Sequence, residues 1–156
     1  MSYDLQAVIA AEETLRVAVR GLAAARTASI GQGLSLMPLT GVLREAVAYS
    51  GEEVAFGFRG LPSGFSKVLS EWSAGAPVAY VEVEYFGGAG EQRAAVWHGG
   101  HIVLGPLRVE EGEPFPPSGS PVSQALRRLG VVTSAGQDEF SAVRLDRHRH
   151  TDAWIS

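Results

Sequence analysis

The nine residues Val78-Ala79-Tyr80-Val81-Glu82-Val83-Glu84-Tyr85-Phe86 decide the fold class of this chain. Valine and aromatic residues dominate the stretch, and successive side chains fall alternately into two sets, as they do on a strand. One set contains Ala79, Val81, Val83 and Tyr85, and the other contains Tyr80, Glu82, Glu84 and Phe86. The stretch therefore predicts a β-strand whose second, more polar set forms a solvent-facing side of an antiparallel sheet.

Two glycine-rich connections extend this strand into a sheet. Residues 87–90 lead into a second predicted strand at 92–98, and Gly99-Gly100 leads into a third at 101–109. Connections this short join antiparallel neighbours. We therefore predict a three-stranded antiparallel meander.

An N-terminal hairpin is expected to contribute two more strands. Residues 25–30 and 34–39 flank Gly31-Gln32-Gly33, a connection of three residues. Pro38 has no backbone N–H to donate, so it should lie at a sheet edge or at a strand end. An exposed edge there would permit a homodimer.

Four segments have the apolar spacing or the capping residues of helices. They are residues 4–20, residues 40–49 after the N-cap candidate Thr40, the stretch after Pro62-Ser63 that ends near Trp72, and the stretch that Ser120-Pro121 begins. The tail at 138–156 is compatible with a last strand and with a final helical turn.

Together these elements predict a single α+β domain over residues 1–156. Its antiparallel sheet has about five strands, from the N-terminal hairpin and the central meander, and three to four helices pack against it. Strands that cluster along the chain, rather than alternating with helices, favour this class. A length of 156 residues is typical of one domain.

Composition argues against several kinds of function. The chain has no cysteine, so disulfides and thiolate catalysis are excluded. A net charge of −4 disfavours nucleic-acid binding. The N-terminus lacks the features of a signal peptide, and no apolar run approaches the roughly 20 residues that span a bilayer. We expect a cytoplasmic protein that binds neither nucleic acid nor membrane.

Glu82 and Glu84 are the first candidates for chemistry. Carboxylates at positions i and i+2 of a strand project from the same face, and interacting carboxylates are one way to build an acid–base pair. The glycines at 87–90 connect strand to strand, so they do not form the strand-to-helix turn of a phosphate site. No nucleophile motif is present in the sequence.

The four histidines form two pairs. His98 and His101 flank Gly99-Gly100, so as cross-strand partners their Cβ atoms would lie about 5 Å apart. His148 and His150 lie in the tail. If the tail folded over the hairpin, the two pairs could share a metal ion. The spacing does not require this, and no cofactor is predicted.

A longer pattern supplies a resemblance. Glu82-x-Glu84-Tyr85-Phe86-Gly87-Gly88-x-Gly90-x-Gln92-x-Ala94-x-Val96-Trp97-x-x-Gly100, continued by Leu104-Gly105-Pro106-Leu107 and by the helix at 120–130, resembles small bacterial proteins. Some of these look like immunity proteins of polymorphic toxin systems. The resemblance implies a compact cytoplasmic protein that blocks a toxin by covering its active surface.

The sequence therefore predicts a non-enzymatic protein-binding module with a protein partner, and the resemblance implies that this module is an immunity-type inhibitor of a toxin. The expected partner-binding residues are Tyr80, Glu82, Glu84, Phe86, Gly88, Gly90 and Gln92. The alternative is a small-molecule-binding or hydrolytic enzyme that uses Glu82, Glu84, His98 and His101.

Overall fold

Six strands form one antiparallel sheet in the computed structural model, which describes residues 2–47, 53–87 and 89–155. The strands are β1 (Ser2–Ala11), β2 (Ala28–Ser29), β3 (Leu34–Pro38), β4 (Val78–Phe86), β5 (Ala89–His98) and β6 (His101–Val109). Their order across the sheet is β2-β3-β1-β4-β5-β6. The predicted α+β class with an antiparallel sheet is confirmed, with one strand more than expected.

Five α-helices lie in the described part of the chain. They are α1 (Glu12–Ala18), α2 (Gly41–Val47), α3 (Ser63–Trp72), α4 (Pro121–Arg128) and α5 (Glu139–Ala142). Short 3-10 turns follow at Val19–Gly21, Leu145–Arg147 and Thr151–Ile155. None of the described helices has both the length and the apolar character needed to cross a membrane.

The predicted helix over residues 4–20 is wrong in its first half. Residues 2–11 form β1, which lies between β3 and β4 near the middle of the sheet, and α1 begins only at Glu12. Helices cover both faces of β1, so nearly every side chain from Leu5 to Ala10 is buried. A continuous apolar run of this kind is typical of a strand covered on both sides, and its spacing also fits a helix.

The predicted hairpins are confirmed. β4, β5 and β6 form the antiparallel meander, although β5 already begins at Ala89. β2 and β3 pair around the connection at 31–33. Pro38 is the last residue of β3 and pairs with Ala7, beyond the two residues of β2.

Two apolar cores cover the two faces of the sheet. Leu5, Ile9 and Val81 face α4 and the C-terminal segment. Val8 and Tyr80 point to the opposite face, where α1, α2 and α3 cover them. The prediction that the face bearing Tyr80 is solvated is therefore wrong, because helices cover that face over much of its length.

The helix starts follow their predicted capping residues. The Thr40 hydroxyl accepts a hydrogen bond from the N–H of Leu43 at 3.2 Å, and the Ser120 hydroxyl accepts one from Ser123 at 3.1 Å. The end of the helix predicted at 40–49 falls outside the described residues. Residues 138–155 of the tail form no strand: they contain α5 and 3-10 turns, the last of which confirms the predicted final turn.

Candidate functional site

The predicted partner-binding residues occupy three different environments. Tyr80 and Glu82 are buried, whereas Glu84 and Phe86 are exposed toward the end of β4. Gln92 lies on the opposite face of the sheet. These residues therefore do not form a single continuous surface.

Gln92 and Gly90 have structural reasons for their identities. The Gln92 side chain accepts a hydrogen bond from the N–H of Val122 at 3.0 Å and donates one to the Tyr85 hydroxyl at 2.9 Å, which ties β5 to the start of α4. A Cβ at Gly90 would overlap the backbone carbonyl of Glu84. Gly88 lies outside the described residues.

Glu82 anchors a loop to the sheet. Its carboxylate accepts hydrogen bonds from the backbone N–H groups of Arg59 and Gly60, both at 2.8 Å, and from the Tyr80 hydroxyl, also at 2.8 Å. The residue is only 6% exposed. A buried carboxylate with several donors satisfies its hydrogen-bonding capacity and fixes the groups that donate to it. The role of Glu82 is therefore to hold the loop at 53–62, which we call the Phe56 loop.

Burial raises the pKa of the Tyr80 phenol well above its usual range, and the neighbouring Glu82 carboxylate raises it further. The phenol is therefore protonated at neutral pH and donates its hydrogen bond to Glu82.

The Phe56 loop presents one aromatic side chain to solvent. Phe58 packs edge-on against Tyr80, with ring centroids 5.1 Å apart, and the N–H of Ala55 donates to the carbonyl of Leu61 at 2.7 Å. Gly57 lies so close to Pro106 that an added Cβ would approach the proline Cβ to 2.7 Å. Phe56 itself is 93% exposed. The loop is thus anchored on both sides of an aromatic side chain that contributes nothing to the core.

A groove of about 260 Å³ lies at the Phe86 end of the same face. It is lined by Arg59, Glu84, Phe86, Gly90, Glu91 and Glu111, and we call it the acidic groove. Glu91 is paired with Arg59 at 2.8 Å and with Arg93 at 2.7 Å. Glu84 and Glu111 have no cation within 4 Å among the described residues. The groove therefore carries surplus negative charge beside Phe86, which is 80% exposed.

The four residues of the enzymatic alternative do not converge. Glu82 pairs with Arg93 in register, whereas His98 and His101 pair with each other at the far end of β5 and β6. Five residues of strand separate Arg93 from His98, or about 16 Å at the usual rise. The cross-strand pairing of the two histidines is confirmed, but the carboxylates lie too far away to act with them.

The C-terminal histidines do not join that hairpin, because the tail packs on β1 and β3 instead. The His148 ring lies edge-on to Trp154, with centroids 4.8 Å apart, and His150 Nδ1 lies 2.6 Å from a carboxylate oxygen of Asp4. Among residues 2–47, 53–87 and 89–155, no group of three or more suitable side chains is placed to hold a metal ion.

A second, polar cleft of about 340 Å³ lies between the start of β1, the start of α2 and the C-terminal turn. Its polar lining consists of Asp4, Gln6, Arg44, His150, Thr151 and Asp152, and we call it the C-terminal cleft. The C-terminal segment covers the edge of β1 that β3 leaves open. The N–H of Asp4 donates to the carbonyl of Arg149 at 2.8 Å, and that of Gln6 donates to the Thr151 hydroxyl at 3.1 Å.

Asp4 fixes this segment through both of its carboxylate oxygens. One lies against His150, and the other accepts from the Thr151 hydroxyl at 2.9 Å and from the Thr151 N–H at 3.3 Å. Partial burial acts to raise the pKa of Asp4, but the hydrogen bonds from His150 and Thr151 outweigh it and hold the pKa below its ordinary value of 3.8.

We expect an Asp4→Asn variant to lose part of the acid sensitivity of the fold. Because the pKa of Asp4 is lower in the folded chain than in the unfolded chain, its contribution to stability is present above the ordinary value and disappears as the pH falls through the lowered one. Urea unfolding from about pH 5 down to about pH 3 should show a steeper loss of stability in the wild type than in the variant. If the free energies of unfolding of the wild type and the variant fell in parallel over this pH range, Asp4 would not be a source of the acid sensitivity.

Three features escaped the reasoning from sequence. Phe56 lies in a segment with no recognisable periodicity, and only its neighbour Gly57 signals a turn. The helix predicted over residues 4–20 includes Asp4 and gives no indication that Asp4 pairs with His150. Arg44 resembles any polar residue of an amphipathic helix, and only the tertiary structure shows that it lines a cleft.

Comparisons with known proteins found no similarity that bears on this site. No protein-family model matches the chain, and neither a curated protein nor a solved structure matches it.

Proposed function

We propose that this chain is a non-enzymatic protein-binding module that acts in the cytoplasm, and that its partner is a protein with a basic surface. The observation that carries the proposal is Phe56, an aromatic side chain that is 93% exposed on an anchored loop. The exposed ring leaves apolar surface in water that a partner could bury, and aromatic side chains, Phe among them, are enriched at protein interfaces.

The anchoring of the Phe56 loop supports binding in particular. Glu82 fixes Arg59 and Gly60, and Phe58 is packed on Tyr80. A loop whose backbone is already held in place loses less conformational freedom when a partner covers it. Phe56 is thus suited to insert into an apolar pocket of the partner.

The acidic groove indicates the charge of that partner. Arg59 lies three residues after Phe56 and lines the groove together with Glu84 and Phe86. The negative charge of Glu84 and Glu111 would attract lysine and arginine side chains and raise the rate of association. An immunity-type inhibitor of a toxin is the specific form of this function that the sequence resemblance implies. Of the residues expected from sequence, Glu84, Phe86 and Gly90 remain in the proposed interface.

The test begins with capture of a partner from native lysate on the tagged full chain, followed by affinity measurements on the purified pair. Phe56→Ala should weaken binding by about 2 kcal/mol, or roughly thirtyfold in Kd. Glu84→Arg should chiefly slow association, and the effect should shrink as salt is raised.

Two control variants separate the interface from general effects on the fold. Val132→Ala removes apolar surface from an exposed residue after α4, on the other side of the sheet. Glu71→Arg reverses a charge at the end of α3, near the Gly99-Gly100 turn. Both should bind as the wild type does. A partner that is indifferent to Phe56→Ala and Glu84→Arg would reject this interface, and repeated recovery of the chain alone would reject the function.

A further inference from the structure

The C-terminal cleft contains two opposite charges that do not neutralise each other. The Arg44 Nε donates to the carbonyl of Gly60 at 3.3 Å, but none of the carboxylates in the described residues lies within 4 Å of its guanidinium. Asp152 likewise has no cation within 4 Å and no side-chain hydrogen bond in the described part of the chain. Both residues line the same cleft, so each charge is available to a ligand.

The other charged groups of the cleft are already occupied. Asp4 uses both carboxylate oxygens to accept hydrogen bonds from His150 and Thr151, so both oxygens already have partners within the protein. This cluster forms a fixed wall of the cleft. Arg44 and Asp152 are therefore the two charged groups of the cleft that have no side-chain partner among the described residues and can bind a ligand.

The chemistry of these two groups defines a ligand with two ends. The planar guanidinium of Arg44 matches the geometry of a carboxylate, and the Gln6 amide lines the cleft beside it. The Asp152 carboxylate favours an ammonium group. A multiply charged anion would gain at Arg44 and lose at Asp152, whereas a molecule with both charges gains at each. A volume of about 340 Å³ is near the lower limit for small-molecule sites, which suits a small ligand.

We propose that the C-terminal cleft binds a small zwitterion of the amino-acid or short-peptide type, with its carboxylate on Arg44 and its ammonium group toward Asp152. The lining of this cleft contains no residue of the Phe56 loop or the acidic groove, and the two sites meet where Arg44 contacts Gly60. The proposal therefore does not rest on the proposed function, and Asp152→Asn tests it away from that contact.

The experiment titrates the full chain with glycine, diglycine and triglycine at constant ionic strength. These probes carry the same two charged ends at increasing separation. Binding is followed through the imidazole NMR signals of His150, which lines the cleft, with His98 and His101 at the far end of the sheet as internal references. At least one probe should shift the His150 signal saturably and leave the reference signals unchanged.

Two variants test the two ends of the ligand separately. Arg44→Gln and Asp152→Asn should each weaken binding of the responding probe by about tenfold or more. Arg128→Gln and Glu71→Gln, which alter exposed charges outside the cleft, should leave it unchanged. Arg44 also supports the carbonyl of Gly60, so urea unfolding is measured for each variant. Asp152→Asn keeps the test decisive if Arg44→Gln does not fold.

Three outcomes would overturn the proposal. One is the absence of a saturable shift with all three probes. Another is equal binding of acetate or methylamine, because each carries only one of the two charges. The third is a response that survives Asp152→Asn unchanged.

Discussion

Replacing Glu82 by alanine is expected to lower the free energy of unfolding by about 3–5 kcal/mol. The substitution leaves the Tyr80 hydroxyl without its acceptor in a buried place, and the N–H groups of Arg59 and Gly60 without theirs in a partly buried one. Each unsatisfied buried donor costs about 1–3 kcal/mol. The loss is a large share of the stability of an ordinary domain, which is about 5–15 kcal/mol. Urea unfolding at neutral pH measures it directly.

Glu84 provides the matched control on the same strand and the same face. Its carboxylate is exposed and has no ion pair among the described residues, so Glu84→Ala should change stability by no more than about 0.5 kcal/mol. Equal effects of the two substitutions would show that Glu82 does not anchor the Phe56 loop. A folded Glu82→Ala variant should also expose the loop to faster backbone hydrogen exchange at Arg59 and Gly60.

Replacing Trp154 by alanine is expected to cost about 3–5 kcal/mol of stability. Trp154 is only 5% exposed and belongs to the core between the sheet and α4, and the Arg147 guanidinium lies 5.1 Å from its ring centroid. Truncation would leave a large cavity and weaken the hold of the C-terminal segment on β1. Loss of stability and loss of protection of the Asp4 and Gln6 amides, measured by hydrogen exchange, should therefore appear together.

Two further substitutions test whether the stability loss comes from the packing of Trp154 or from any change near the C-terminus. Ile155 is 40% exposed, so Ile155→Ala should cost far less than Trp154→Ala. The Trp154 Nε1 is buried without a hydrogen-bond partner among the described residues. Trp154→Phe keeps most of the ring and removes that unsatisfied donor, so its cost should fall well below that of alanine. Similar losses at positions 154 and 155 would contradict a core role for the tryptophan.

The alternation along Val78–Phe86 gave the right strand and the right division of its side chains, but not their exposure. Alternation reports which residues share a face, and it does not report what covers that face. Glu82 and Glu84 belong to the same set. Only the packing of the Phe56 loop makes the first a buried anchor and leaves the second in solvent.

The candidate sites depended still more on contacts between distant parts of the chain. Asp4 and His150 are 146 residues apart, and Glu82 holds Arg59 and Gly60 from more than 20 residues away. No spacing rule connects such positions. The exposure of Phe56 also depends on the tertiary structure. Large aromatic side chains are mostly buried in proteins, and here the anchored loop turns this one toward solvent.

The sequence by itself determined what depends on neighbours along the chain. The connections Gly31-Gln32-Gly33 and Gly99-Gly100 set the hairpins of β2–β3 and β5–β6. The hydroxyl residues Thr40 and Ser120 set two helix starts, because each acts within a few residues. The tertiary structure alone decided the strand identity of β1, the burial of Glu82 and the two surfaces to which function is assigned. Each of these depends on which segment covers which face, and that choice minimises the free energy of the whole chain rather than of any one stretch.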